Sequence, residues 1–160
     1  WSRSAARHVG PTDVGSGLAA RAVRRAPEGS RDVCLVGVGR MLEAAEQAAE
    51  ILAADGIGVT VWDPRVIRPL DPAMLADAAR HRFVVSVEDG MREGGIGASI
   101  ADELAELTAG GASPQVRVLG TPVAYIPHGK ADAIHAELGL DAAGIAASAL
   151  ALMGADQLTQ

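Results

Sequence analysis

Apolar and polar positions along the chain switch period repeatedly, and the switches divide it into strands and helices. The run Phe83-Val84-Val85-Ser86-Val87 has strand length and is rich in β-branched residues. Glu88 and Asp89 follow it, then a glycine-rich turn holding Gly90, Gly94, Gly95 and Gly97. After the turn, Ile96, Ile100, Leu104 and Leu107 recur at helical spacing, with Asp102, Glu103 and Glu106 on the polar face. A strand, a glycine loop and a helix in that order make half of a βαβ unit. Ligands and partner surfaces meet such units at the C-terminal ends of the strands.

The same alternation runs through the rest of the chain. Asp32 to Val38 reads as a strand, followed by Gly39 and an amphipathic helix from Met41 to about Ala54. That helix buries Met41, Ala45, Ala48 and Leu52 and leaves Glu43, Glu46 and Glu50 wet. Val59 to Trp62 is the next strand, closed by Asp63-Pro64, and Asp71-Pro72 caps a short helix to about Arg80. Gln115 to Leu119 is a last short strand; Gly120-Thr121-Pro122 turns the chain. Two short helices, Lys130 to Leu138 and Asp141 to Met153, complete it. Leu18 to Arg25 is a weaker strand candidate. Residues 1–17, with Gly, Pro and Ser and no periodicity, read as a linker or docked arm, and residues 154–160 as a polar tail. Strands alternating with helices predict a mostly parallel sheet covered on both faces.

Composition narrows the function classes. A chain of 160 residues fits one domain large enough for a two-faced α/β core. The net charge of −6 argues against a nucleic-acid surface. No 18-residue apolar run suggests a membrane span, and no charged-then-apolar leader suggests secretion. Cys34 is the single cysteine and lies in an apolar run, which predicts a buried core thiol in a reducing, cytoplasmic compartment. The sequence opens on Trp1, not Met, as expected of a segment of a longer protein.

Candidate chemistry is sparse. The glycine loop at Gly94, Gly95 and Gly97 can hold an anion on its amides or let the helix pack closely on the sheet. It lacks a Lys or Ser/Thr at phosphate-binding spacing, which favours packing. Glu88 and Asp89 are adjacent, so their side chains can point to opposite sides, as a strand end, a helix cap or an interface contact. Gly37-Val38-Gly39-Arg40-Met41-Leu42 begins like a dinucleotide fingerprint, but Leu42 stands where the third glycine belongs and Asp63 is followed by proline. His8, His81, His128 and His135 show no metal spacing; His128, between Pro127 and Gly129, suits a fixed hydrogen-bonding role. No residue is assigned to catalysis or to a metal, and the pattern alone stops at an α/β domain without a self-contained active site.

Four segments taken together resemble the C-terminal domain of the 1-deoxy-D-xylulose-5-phosphate synthases, within the transketolase family. They are Trp62 to Asp71, Val84 to Gly97, Gly120 to Gly129 and Ala136 to Asp141. Departures from the family pattern fall at Trp62, Pro64, Asp89-Gly90 and Val123-Ala124-Tyr125. The resemblance implies a three-layer α/β/α domain over residues 18–153, with a mixed, mostly parallel five-stranded sheet whose first strand is antiparallel. It implies a parent transferase in which thiamine diphosphate and magnesium sit on N-terminal and middle domains, on the same or a separate chain, with none bound by this chain alone. It further implies a homodimer, and it places Arg3 where the family's linker arginine contacts the phosphate of glyceraldehyde 3-phosphate. Two rivals stand beside it: the equivalent domain of a 2-oxo-acid dehydrogenase β subunit, and a stand-alone interaction or nucleotide-binding module.

Overall fold

The computed structural model describes residues 16–30, 32–126 and 128–157. Five strands, β1 (Arg21–Arg24), β2 (Val33–Gly37), β3 (Val59–Asp63), β4 (Phe83–Met91) and β5 (Gln115–Thr121), form one sheet in the order β1-β3-β2-β4-β5. All neighbours are parallel except β1, which runs antiparallel to β3, pairing Arg21 with Asp63. The mixed three-layer α/β fold expected from the resemblance is the one found.

Side-chain alternation along the strands builds the two faces. Val33, Leu35, Val59, Val61, Val85 and Val87 point to one side, under α1 (Leu42–Ala54) and α5 (Ala142–Gln157). Cys34, Val36, Trp62 and Val84 point to the other, under α2 (Pro72–Ala78) and α3 (Ile96–Leu107). The central strand β2 is fully buried, as a parallel strand covered on both faces must be. Burial pushes the Cys34 thiol far above its usual pKa, with the nearby Asp77 carboxylate adding to the shift, so it is an inert core residue.

Boundaries differ from the sequence reading in four places. First, β4 continues through Gly90 to Met91 and Gly97 is already helical, so the turn between them is only residues 92–95. Second, Leu107 is 55% exposed instead of completing the buried stripe of α3, which ends at that residue. Third, β5 runs to Thr121, past Gly120, which lies against the Gly90 carbonyl and the Arg92 backbone too closely for a Cβ. Fourth, α5 is long and extends into the expected polar tail. The stretch Ala131–Ala155 is apolar and long enough to cross a membrane by composition, contrary to the expectation that no such run exists. It is, however, two helices, α4 (Ala131–Glu137) and α5, and Ile145, Ala149 and Leu152 are buried in the core.

The connection after β3 is built to receive the incoming chain. Asp71 caps α2 by accepting from Ala73 N at 2.8 Å, and its other oxygen accepts from Ala20 N at 2.7 Å. Arg65, at φ 55°, donates to the Ala19 carbonyl at 2.6 Å, and Arg21 pairs with Asp63 at 3.3 Å. This motif therefore works as an anchor for residues 19–21.

Candidate functional site

The chain passes from β2 to β3 on one side of β2, then returns to β4 on the other side. That reversal makes a topological switch point, and the crevice outside the C-terminal ends of β2 and β4 is where ligands settle in open α/β sheets. Two groups of predicted residues converge there.

Glu88 is buried at 8% exposure, and its Oε1 accepts from Gly97 N at 2.9 Å in the first turn of α3. The carboxylate thus occupies the place at the helix N-terminus that a bound anion would take, where the helix dipole favours negative charge. The glycines are fitted around it. A Cβ on Gly90 would come within 2.7 Å of Glu88 Oε2, and one on Gly95 would run into Glu88 Oε1 and the Met91 carbonyl. A Cβ on Gly97 would stand 2.5 Å from Val118 Cγ1 and 2.6 Å from Ser86 Oγ. Only Gly94, at φ +74°, is required for its backbone conformation; the others are required for room.

Asp89 turns the opposite way. Its Oδ1 is 2.7 Å from His135 Nε2 on α4, and its Oδ2 accepts from the Arg40 guanidinium at 3.4 Å. Arg40 comes from the turn after β2, so the Arg40–Asp89 pair bridges the mouth of the crevice. His135 is buried at 9% exposure and fastens α4 to the strand end. Sequence reasoning passed over Arg40 and His135. Arg40 was legible only as part of a failed dinucleotide fingerprint, and the pairing of His135 with Asp89 spans 46 residues.

His128 lies exposed in the segment between β5 and α4 and has no part in the hydrogen bonds joining Glu88, Asp89, Arg40 and His135. Arg3 lies outside the described residues. At the opposite end of the strands, an open cavity of about 390 Å³ is lined by Arg80, His81, Arg82 and Gln115, among others, and by none of the predicted site residues.

The glycine loop, as folded, does not suit the diphosphate of a thiamine cofactor. The Gly97 amide is taken by the Glu88 carboxylate, whose charge would repel a diphosphate placed there. Among the described residues, no group of three His, Cys, Asp or Glu side chains could hold a metal ion.

Comparison with known proteins bears on the same region. The family "Transketolase, C-terminal domain" matches residues 21–145, from β1 into α5. The chain belongs to the transketolase C-terminal domain family. It is 43% identical over 143 residues to the 1-deoxy-D-xylulose-5-phosphate synthase of Anaeromyxobacter dehalogenans, covering 89% of this chain and 22% of that protein. It is 42% identical over 126 residues to that of Thermobifida fusca, covering 78% and 19%. The chain spans about a fifth of the length of the curated relatives it matches. Among solved structures, a split-gene transketolase described as an inactive beta4 tetramer superposes with a TM-score of 0.81 at 26% identity, over 95% of this chain and 48% of that one. These matches agree with the resemblance to 1-deoxy-D-xylulose-5-phosphate synthase C-terminal domains carried by the four sequence segments.

Proposed function

We propose that the chain is the C-terminal domain of a thiamine-diphosphate-dependent 1-deoxy-D-xylulose-5-phosphate synthase, joining pyruvate to glyceraldehyde 3-phosphate with loss of carbon dioxide. The observation that carries this reading is the 43% identity over 143 residues to such a synthase. In this reading the cofactor, with its magnesium, supplies the carbanion chemistry from the N-terminal and middle domains. This domain contributes structure and stabilises a cytoplasmic homodimer. The Glu88–Gly97 cap and the Arg40–Asp89 bridge fit the structural part of that role, because both satisfy polar groups at the switch point within the chain.

Arg3 is the one residue of this chain assigned to substrate, through the glyceraldehyde 3-phosphate phosphate, which suits a guanidinium by charge and fork geometry. In the complete enzyme, Arg3→Ala removes charge-assisted bonds worth roughly 1.5–3 kcal/mol. Apparent affinity for glyceraldehyde 3-phosphate then falls about 10- to 150-fold while that for pyruvate changes little. Steady-state kinetics varying each substrate in turn test it. A complete enzyme with no activity on the pair overturns the synthase reading, and equal effects on both substrates reduce Arg3 to a linker residue.

A further inference from the structure

Large apolar side chains left exposed on this domain are not spread evenly. Of the eight among the described residues, five lie at one end of the sheet, two at its β1–β3 edge and three at its β4–β5 edge. Leu18 (59% exposed) lies just before β1, and Ile67 (48%) lies in the connection leaving β3. Met91, Val123 and Tyr125 are 56%, 69% and 91% exposed at the ends of β4 and β5. Met91 pairs with Thr121, and Arg92 N donates to the Thr121 carbonyl at 2.8 Å, so Met91 adjoins the segment that carries Val123 and Tyr125. All five sit at the C-terminal rim of the parallel strands. The other three, Ile51, Leu107 and Leu150, lie singly on three different helices. Single exposed apolar residues are ordinary on a protein surface, whereas neighbouring ones such as Met91, Val123 and Tyr125 mark an interaction surface.

The path of the chain identifies what the rim meets. Because β1 is antiparallel, its first residue, Arg21, lies beside Asp63 at the C-terminal end of β3. The polypeptide therefore reaches the domain at this same rim, and Arg65 and Asp71 hold residues 19 and 20 there. The relatives are several times longer than this chain, which spans 22% of one of them. Across five strands the rim is roughly 20 Å wide, at about 4.8 Å per strand. Its middle is crossed by the Arg40–Asp89 pair, a polar contact between the two apolar edges.

We infer that this rim seats the domain against the thiamine-binding domains preceding it in the polypeptide, with Tyr125, Val123 and Met91 as the apolar anchors. The inference rests on the functional reading above, which supplies those domains. The partner surface it requires is an apolar depression that takes in the Tyr125 ring, with a hydrogen-bond acceptor for the hydroxyl.

The test uses the full-length enzyme. Hydroxyl-radical footprinting should label Tyr125 and Met91 about fivefold more slowly in the folded enzyme than after urea unfolding, since docked side chains are shielded from solvent. Tyr125 labelled at its unfolded rate overturns the inference. Protection that disappears on dilution to monomer assigns the rim to a second copy and also overturns it. A second arm keeps the idea testable if labelling is ambiguous. The double variant V123D/Y125D should split the single thermal unfolding transition into two, while L107D/L150D on the helices should leave it single. The reverse pattern refutes the proposal. Synthase activity of the unmodified enzyme, measured alongside, separates failure of the interface from failure of the functional reading.

Discussion

Two aspartates, Asp77 and Asp89, show how differently one residue type is used at two places in this domain. Asp77, near the end of α2, is buried and fully engaged. Its Oδ2 accepts from Trp62 Nε1 at 2.9 Å and from Arg25 at 2.9 Å, and its Oδ1 from Arg80 at 2.6 Å. Its backbone carbonyl lies 2.9 Å from His81 Nδ1, whose other nitrogen reaches Thr60 Oγ1 at 3.1 Å. Arg25 also stacks 4.7 Å from the Trp62 ring centroid. The cluster pins the end of β1 onto β3 and α2. Asp89, at the switch point, is 39% exposed at its side chain and holds one histidine and one arginine at the edge of water. The first is a latch inside the fold; the second closes a crevice at its surface. The difference lies in desolvation, which makes every unmade bond at Asp77 costly and every bond at Asp89 replaceable by solvent.

The sharpest way to break the comparison is to remove the latch. Asp77→Ala strands the buried Trp62 N–H and releases Arg25 and Arg80, which should cost roughly 2–4 kcal/mol. Both arginines are more than half exposed, so most of the loss comes from the indole and not from the ion pairs. Urea denaturation measures it, and a loss no larger than that of Asp89→Ala would erase the distinction.

A smaller effect is expected at the glycine loop, where room matters instead of charge. Gly95→Ala drives a methyl into the Met91 carbonyl and the Glu88 carboxylate and should cost roughly 1–3 kcal/mol by overpacking. Gly94→Ala should cost about 1 kcal/mol, because it meets nothing within 4 Å and suffers only from its left-handed backbone. Equal losses at the two would show that the cap around Glu88 is looser than its geometry.

The two sites also differ in what the sequence disclosed. Apolar and polar patterning placed the four parallel strands and the helices α1 and α3, because burial on one face writes a period of two or 3.6 into the residues themselves. The antiparallel first strand came from family resemblance, since Arg21–Arg24 is partly exposed and half charged. Glu88 and the glycines were legible as a strand-loop-helix unit, but not the bond that joins them, because either a ligand or the chain's own acid satisfies the same amide. His135 and Arg40 were invisible as partners of Asp89. Tertiary folding brings them together across 46 and 49 residues, and local pattern carries no record of that. The Asp77 cluster was hidden for the same reason, with Arg25 lying 52 residues away.

Acid should act on the latch as well. Burial raises the Asp77 pKa, but hydrogen bonds from Arg80 and Trp62 and the charges of Arg25 and His81 outweigh it, and the carboxyl titrates below its usual value. A lowered folded pKa means the ionised form is bound more tightly in the folded state. Its stabilisation is complete above the ordinary carboxylate pKa near about 3.9 and is lost as pH falls through the lowered folded value. Asp77→Asn should therefore flatten the fall in stability below about pH 4 and leave the neutral-pH slope unchanged. Unfolding midpoints measured from pH 2 to pH 7 in both proteins decide it.

The smallest effect belongs to Asp89. Asp89→Asn keeps an oxygen for the His135 ring and removes only the charge facing Arg40, a pair that is 3.4 Å apart and partly solvated. Such pairs contribute about 0–1 kcal/mol and weaken with salt. Stability should fall by less than about 1 kcal/mol, and the difference from the unmodified protein should vanish at about 1 M salt, where the Debye length is near 3 Å. Asp89→Leu should do more, because it also deprives the buried His135 of its acceptor and loosens α4 from the strand end. Hydrogen exchange of the amides of α4 reads that loosening directly. Faster exchange in α4 alone, with the β-sheet unchanged, marks Asp89 as a local fastener. Loss of protection across the sheet would make it a second latch like Asp77, and the contrast between the two would disappear.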